Sequence, residues 1–248
     1  MRDYNLGFIS NEDLFNHVKE TVEKYRFSIT LAEFNKNLID PIKLTFDAKV
    51  YGKSFEEIVE DECLRQIDKS NTNHIGYFHQ NIFQYLQSGW IIPPSGYDLV
   101  NESRNLYVEL KNKHNTMNSS SAQKTYMKMQ NTILRNDQAV CMLVEVIAKR
   151  SEDVTWVVSV DGESFSNNRI RRVSIDKFYH LVTGDPFAFR NLCSKLPLVI
   201  DDVVSSMPDV KLNNTVFAEL NELSPNILKS LYLLSFKNYE GFDDLKVE

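Results

Sequence analysis

The 248-residue chain is 42% hydrophobic, enough to bury a substantial core, and carries a formal net charge of −6, which argues against a non-specific nucleic-acid coat protein. No apolar run approaches the roughly 20 residues needed to span a bilayer, and Met1 to Gly7 lacks a signal-peptide core, so a cytoplasmic protein without membrane contact is expected. Cys63, Cys141 and Cys193 are odd in number, far apart and set among apolar residues, the pattern of reduced buried thiols.

In chain order, residues 11–25 and 29–39 read as helices. Ser54 with Glu57 forms a capping box that opens a helix to about Ile67. Asn71-Thr72-Asn73 breaks the chain, and a second helix runs from about His74 to Gln87, ended by Ser88-Gly89. His74 and His79 are five apart, which misses the i, i+4 spacing of a helical zinc pair. Trp90-Ile91-Ile92 starts a strand that Pro93-Pro94 stops.

Tyr97–Val100 and Leu106–Lys113 then read as two strands around the polar turn Asn101–Asn105. Alternation puts Tyr107, Glu109 and Lys111 on one face and Leu106, Val108 and Leu110 on the other. A turn centred between Ser103 and Arg104 pairs residues whose numbers sum to 207, which sets Asp98 opposite Glu109 with Cβ atoms about 5 Å apart. Two like charges at that spacing destabilise a sheet unless a cation compensates them. A divalent ion with Lys111 beside it would do so; a surface hairpin with a cross-strand salt bridge is the plainer alternative.

A polar loop from Asn115 to Ser121 leads to a helix from Ser121 to Arg135, with Ser120 and Gln123 as a capping box. Ala122, Tyr126, Met129 and Ile133 form its apolar stripe; Lys124, Lys128, Asn131 and Arg135 form a separate polar one. Ala139–Ile147 is the apolar run of a strand buried on both faces, and Val154–Val160 is a further strand. Asp185-Pro186 and Ser224-Pro225 read as helix starts in a mostly helical C-terminal part. This order predicts an α/β fold: a central mixed sheet flanked by helices, with additional N- and C-terminal helices. It is expected as one domain over 1–248, comprising a helical part (1–70), a core (71–165) and a mostly helical part (166–248). Residues 104–135 hold six bases against one acid, a local excess of +5 that begins at the candidate site and points to a phosphate-bearing polymer; a solvated charged face is the alternative.

Asp98, then Glu109-Leu110-Lys111 on the next strand within this element order, resembles the PD-(D/E)XK nuclease superfamily, although Gly96-Tyr97-Asp98 lacks that family's proline. A longer signature extends the likeness. Gly76-Tyr77-Phe78-His79-Gln80-Asn81-Ile82-Phe83, then Gly89-Trp90, then Val108 to Ser121, with Ser174–Pro197 adding to it, is similar to type II restriction endonucleases that cut GGNCC-type sites. The resemblance implies Mg²⁺-dependent hydrolysis of double-stranded DNA at a short palindrome, leaving 5′-phosphates. It implies metal oxygens from Asp98, Glu109 and the Leu110 carbonyl, and Lys111 at the attacking water. It also implies a further acid or amide on the preceding helix, for which Gln80 stands in place, with Glu57 and Glu60 as rivals. Gln123 and Tyr126 are similar to a Gln/Tyr pair of related nucleases, one residue short in spacing; capping and core packing compete with that role.

Lys124 and Lys128 are expected on backbone phosphates. Lys113, His114, Asn115, Asn118 and Ser119 in the loop, and Arg169, Arg171 and Arg172 after the Trp156 strand, are the remaining candidates for DNA contact. A palindromic site cut on both strands implies a homodimer, its interface on either the N- or the C-terminal helices. A host methyltransferase is expected alongside, with no physical contact implied. A structure-specific repair or recombination nuclease on the same core, or a non-catalytic DNA-binding protein on a decayed scaffold, are the alternative functions.

Overall fold

The computed structural model describes residues 2–86, 89–114, 116–160, 162–208 and 213–236. In chain order the elements are α1 (Asn11–Lys24), β1 (Ser28–Ile29), α2 (Leu31–Asn35), α3 (Pro41–Tyr51), α4 (Phe55–Asn81), β2 (Leu99–Asn101), β3 (Leu106–Lys113), α5 (Ser119–Arg135) and β4 (Val140–Ile147). They continue with β5 (Asp153–Val160), β6 (Glu163–Ser174), α6 (Ile175–Thr183), α7 (Ala188–Ser205), β7 (Asn213–Asn214), α8 (Val216–Leu223) and α9 (Ile227–Phe236). Residues group into two units: Met1–Glu23 with Ile75–Ser206, and Lys24–His74 with Met207–Glu248. Among the described residues no helix is long and apolar enough to cross a membrane.

The first unit is built on a five-stranded sheet in the order β2-β3-β4-β6-β5. β3, β4 and β6 run parallel, while β2 and β5 pair antiparallel at the two edges. β4 is central, as its apolar run requires: Cys141 to Val144 are buried from both sides. On one face α5 packs Tyr126, Met129 and Ile133 against Cys141, Leu143, Trp156 and Ile170. The helix α6 covers β4 and β6 from the other side. The mixed sheet flanked by helices is the fold the element order predicts.

The second unit joins α2, α3, residues 55–74 of α4, α8 and α9 around a core that includes Phe34, Val59, Cys63 and Leu231. Its helix ends follow from sequence. Asp40 caps α3 through the Ile42 and Lys43 amides, Pro41 sits at the first helical position, and Gly52 closes the helix at φ +65°. Glu57 binds the Ser54 amide and hydroxyl while the Glu57 amide donates to Ser54 Oγ, completing the expected capping box.

Several expectations differ, among them the burial of Cys193, which is exposed. Residues 29–39 form only the short β1 and α2. The break at Asn71–Asn73 is absent, because α4 runs unbroken from Phe55 to Asn81. Helix propensities of Asn and Thr are weak priors, and Asn71 Oδ1 has another task, accepting from the Arg26 amide at 2.9 Å. The Trp90–Ile92 strand reduces to one bridge, Ile91 to Val100. The C-terminal helix starts fall later than the Asp-Pro and Ser-Pro pairs, whose Asp185 and Ser224 instead accept from the Phe187 and Asn226 amides. The strand β6 was not expected at all, since the first half of Glu163–Ser174 is exposed and polar.

His79 carries a pH consequence. It is largely buried beside Phe78 and near His17, and desolvation, with the His17 charge adding, pushes its pKa from 6.5 down to about 4. Above pH 6.5 the ring is neutral in both states and pH has no effect through it. Between pH 6.5 and 4 the unfolded chain takes a proton that the folded ring refuses, so stability falls by up to about 3 kcal/mol. Urea unfolding at pH 7.5 and 5 should show about 2 kcal/mol of this loss for the native chain and a smaller one for His79→Asn. Equal losses would mean that His79 is not the group responsible.

Candidate active site

The hairpin register is set by the turn. Leu99 pairs with Val108, Val100 with Tyr107 and Asn101 with Leu106, each pair summing to 207. Asn101 Oδ1 caps the turn at the Arg104 amide (3.2 Å), and Asn105 closes it in the left-handed region at φ 54°. Asp98 lies just beyond the ladder. Its amide donates to Val108 O at 3.0 Å, and its carboxylate reaches along β3 to accept from the Leu110 amide at 2.7 Å. Gly96, two residues earlier, has φ +99°, a conformation that an L side chain rarely adopts.

Glu109 is 7% exposed on the α5 side of β3. Its carboxylate gathers two ammonium groups. Lys111 Nζ lies 3.4 Å from Oε2, and Lys128, reaching in from α5, contacts Oε1. Lys128 Nζ also donates to Gly96 O at 3.0 Å and stands 4.4 Å from the centre of the Tyr97 ring. Burial holds its pKa below the usual lysine range, against the attraction of Asp98. Thus an amino group is seated among a carboxylate, a carbonyl and an aromatic face, with a second carboxylate attracting it. Oxygen donors around an ammonium are the contact set that a hard cation also takes. Among the described residues no three His, Cys, Asp or Glu side chains form a metal cage, so any ion here would depend on water and substrate oxygens for the rest of its shell.

The end of α4 holds this arrangement from behind. Gln80 Nε2 donates to the main-chain carbonyl of Asp98 at 2.9 Å, which fixes the backbone that carries the carboxylate. Gly76, one turn earlier, faces the Asn112 amide, which an added Cβ would meet at 3.4 Å. Of the rival acids, Glu57 is occupied with the Ser54 cap and Glu60 is exposed.

The remaining candidates separate into distinct places. Lys124, Lys128, Asn131 and Arg135 line one surface depression of about 420 Å³ along α5, so the polar stripe leads to Glu109 through Lys128. α5 starts at Ser119, not Ser121, with Asn118 as its cap, accepting from the Ser121 amide at 2.8 Å. Gln123 is not a capping residue: it donates to Ser159 O at 3.1 Å, while Tyr126 is buried against Trp156. Lys113 is exposed at the end of β3, and Asn115 lies outside the described residues.

The three arginines are not one cluster, because they alternate along β6. Arg169 donates to Asp137 O, and Arg171 pairs with Asp153 at 2.8 Å. Arg172 turns to the α5 face, where its Nε lies 3.4 Å from Glu145. Sequence reasoning missed Glu145. It is 2% exposed, is paired with Lys111 in the β3–β4 register, and binds His114 Nδ1 at 2.7 Å. The signal was present: a single acid within the apolar run Cys141–Ile147 must be buried on one face of a central strand, and a buried acid needs cationic partners.

The family model described as Eco47II restriction endonuclease matches residues 6–205. The type II restriction enzyme Sau96I of Staphylococcus aureus is 31% identical over 234 residues, covering 89% of this chain and 89% of that enzyme. The type II restriction enzyme Eco47II of Escherichia coli is 33% identical over 213 residues, covering 81% of this chain and 88% of that enzyme. No solved structure matches significantly.

Proposed function

Because the chain belongs to the Eco47II restriction endonuclease family, and so is a type II site-specific deoxyribonuclease acting on double-stranded DNA, we propose that Asp98, Glu109 and Lys111 form its catalytic centre, working with Mg²⁺. The observation that carries the reading is the buried Glu109 carboxylate, gathering two ammonium groups beside Asp98. Asp98, Glu109 and the Leu110 carbonyl would hold the ion in an oxygen set suited to Mg²⁺, which keeps several waters and commonly uses only one or two carboxylates. When bound, the ion supplies an acidified water and charge neutralisation at the phosphate.

The protein's own residues divide the rest of the work. Lys111 Nζ orients the attacking water and stabilises charge on the phosphate oxygens. Attack opposite the leaving oxygen breaks the P–O3′ bond and leaves a 5′-phosphate and a 3′-hydroxyl. Gln80 acts behind the site, holding the Asp98 main chain in place. The α5 stripe, with Lys124 and Arg135, contacts backbone phosphates and positions the duplex without reading it. Lys128, on the same stripe, would join these contacts if an ion engaged Asp98 and Glu109 in its place. The recognition site is a GGNCC-like palindrome, cut by a homodimer so that each active site serves one strand. The enzyme works in the cytoplasm beside a methyltransferase that protects host sites.

Incubation of unmethylated plasmid with the protein and Mg²⁺ should give discrete fragments, and EDTA should abolish them. Sequencing the fragment ends identifies the site. A smear, or nicking confined to branched DNA, would replace this reading with a structure-specific nuclease; tight binding without cleavage would replace it with a non-catalytic one.

A further inference from the structure

Next to Lys111 the same sheet face opens into a cavity of about 240 Å³, lined by Lys111, Lys113, Ser119, Glu145, Trp156 and Arg172 among others. Its charges do not balance. Three cations face one acid, and that acid already pairs with Arg172 and with His114 from outside the lining. Among the described residues Arg172 Nε is buried with no hydrogen-bond partner beyond its 3.4 Å ion pair with Glu145, and the guanidinium lies 5.9 Å from the centre of the Trp156 ring. The ring and Glu145 together fix the plane of the fork. Ser119 and Ala122 bring the first turn of α5 to the cavity wall, and the positive end of a 17-residue helix favours an anion there. An exposed Lys113 in no ion pair among the described residues, a guanidinium held in one orientation and a helix N-terminus all ask for the same ligand, an oxyanion with several acceptor oxygens.

We propose that this cavity is a second phosphate subsite, which holds a non-scissile phosphodiester of the bound strand while Lys111 addresses the scissile one. Arg172 is its clamp, Lys113 adds charge at the mouth, and Glu145 is the positioning residue that aims Arg172. The proposal rests on the reading of the chain as a DNA-cleaving enzyme. It assigns Arg172 and Lys113 to backbone positioning, which carries no sequence information directly, and separates them from Arg169 and Arg171.

The test measures binding of a duplex carrying the mapped site, in EDTA so that nothing is cut, with one phosphate at a time replaced by an uncharged methylphosphonate. One non-scissile position in each half-site should cost the native protein about tenfold in affinity. Arg172→Met should bind the unmodified duplex about tenfold more weakly and lose nothing further at that position, while remaining sensitive at the others. Lys113→Met provides the same check without touching the Glu145 ion pair, because Lys113 is exposed and in no ion pair among the described residues. It should lower the salt dependence of binding by about one phosphate contact.

The subsite is overturned if no non-scissile position is sensitive, or if the penalty persists undiminished in both variants. Free phosphate is the other source of the same chemistry. If millimolar inorganic phosphate stabilises the native protein but not Arg172→Met, and the methylphosphonate series is flat, the cavity takes a free anion and the DNA assignment fails. A protein that cuts plasmid but shows no such position loses only this subsite. One that does not cut loses the nuclease reading as well.

Discussion

Lys111→Ala is expected to slow DNA cleavage by about 10²- to 10³-fold, equivalent to roughly 3–4 kcal/mol of transition-state stabilisation. Binding to the same duplex in EDTA should fall by no more than about tenfold. The split follows from where Lys111 sits. Its side chain is 31% exposed and its ammonium contacts Glu109, so removing it opens no core cavity. Glu109 keeps a counter-ion, because Lys128 contacts its other oxygen. The local fold therefore persists, and the loss concentrates in the step where charge develops on the phosphate. Single-turnover cleavage with enzyme in excess isolates that step from product release. A single-turnover rate within about fivefold of the native enzyme would remove Lys111 from the chemistry and leave it as a charge on a hairpin.

Strand alternation and turn composition were enough to read the site's frame. Side chains alternate on β3 whatever the rest of the fold does, and the polar Asn101–Asn105 segment leaves one compact way to turn, so the 207 register was legible. The same applies to β4, whose unbroken apolar run belongs in the middle of a sheet, and to the two stripes of α5. What escaped depends on partners distant in sequence. The polar residues of Asn71–Asn73 read as a break because a sequence does not reveal that Asn71 has the Arg26 amide to satisfy. β6 is polar over its first half because β5 alone covers it there, so no periodicity marks it. Lys128 was legible as a basic residue on a helix face. That it reaches past that face to Glu109 follows from the long lysine side chain and from the close packing of α5 on the sheet, which only the fold supplies. Asp98 is the case between. The register put it beside β3, yet its carboxylate found the Leu110 amide, because past the last ladder pair β3 offers an amide that the side chain can take.

Glu145→Ala should destabilise the sheet-bearing unit by about 3–5 kcal/mol, the largest stability effect expected of any substitution near the site. The acid is 2% exposed on the central strand, with His114 at 2.7 Å and Arg172 at 3.4 Å as its partners. Its loss leaves a half-buried guanidinium whose Nε has no other partner among the described residues, and adds a cavity in β4. Tryptophan fluorescence during urea unfolding reports this unit alone, since both tryptophans, Trp90 and Trp156, belong to it, and Trp156 lies under Arg172. A loss below about 1 kcal/mol would mean that the pair is not desolvated as the burial indicates. The converse substitution separates stability from function. Replacing the whole group with apolar residues, Glu145→Met with Arg172→Met and His114→Phe, removes both the attraction and the desolvation penalty, so most of the stability should return. A triple variant that folds well but has lost the sensitive methylphosphonate position would show that the buried charges serve to hold a cavity-lining cation in one orientation, ready for a phosphate. If instead the triple variant binds that phosphate as the native protein does, Glu145, His114 and Arg172 are structural alone.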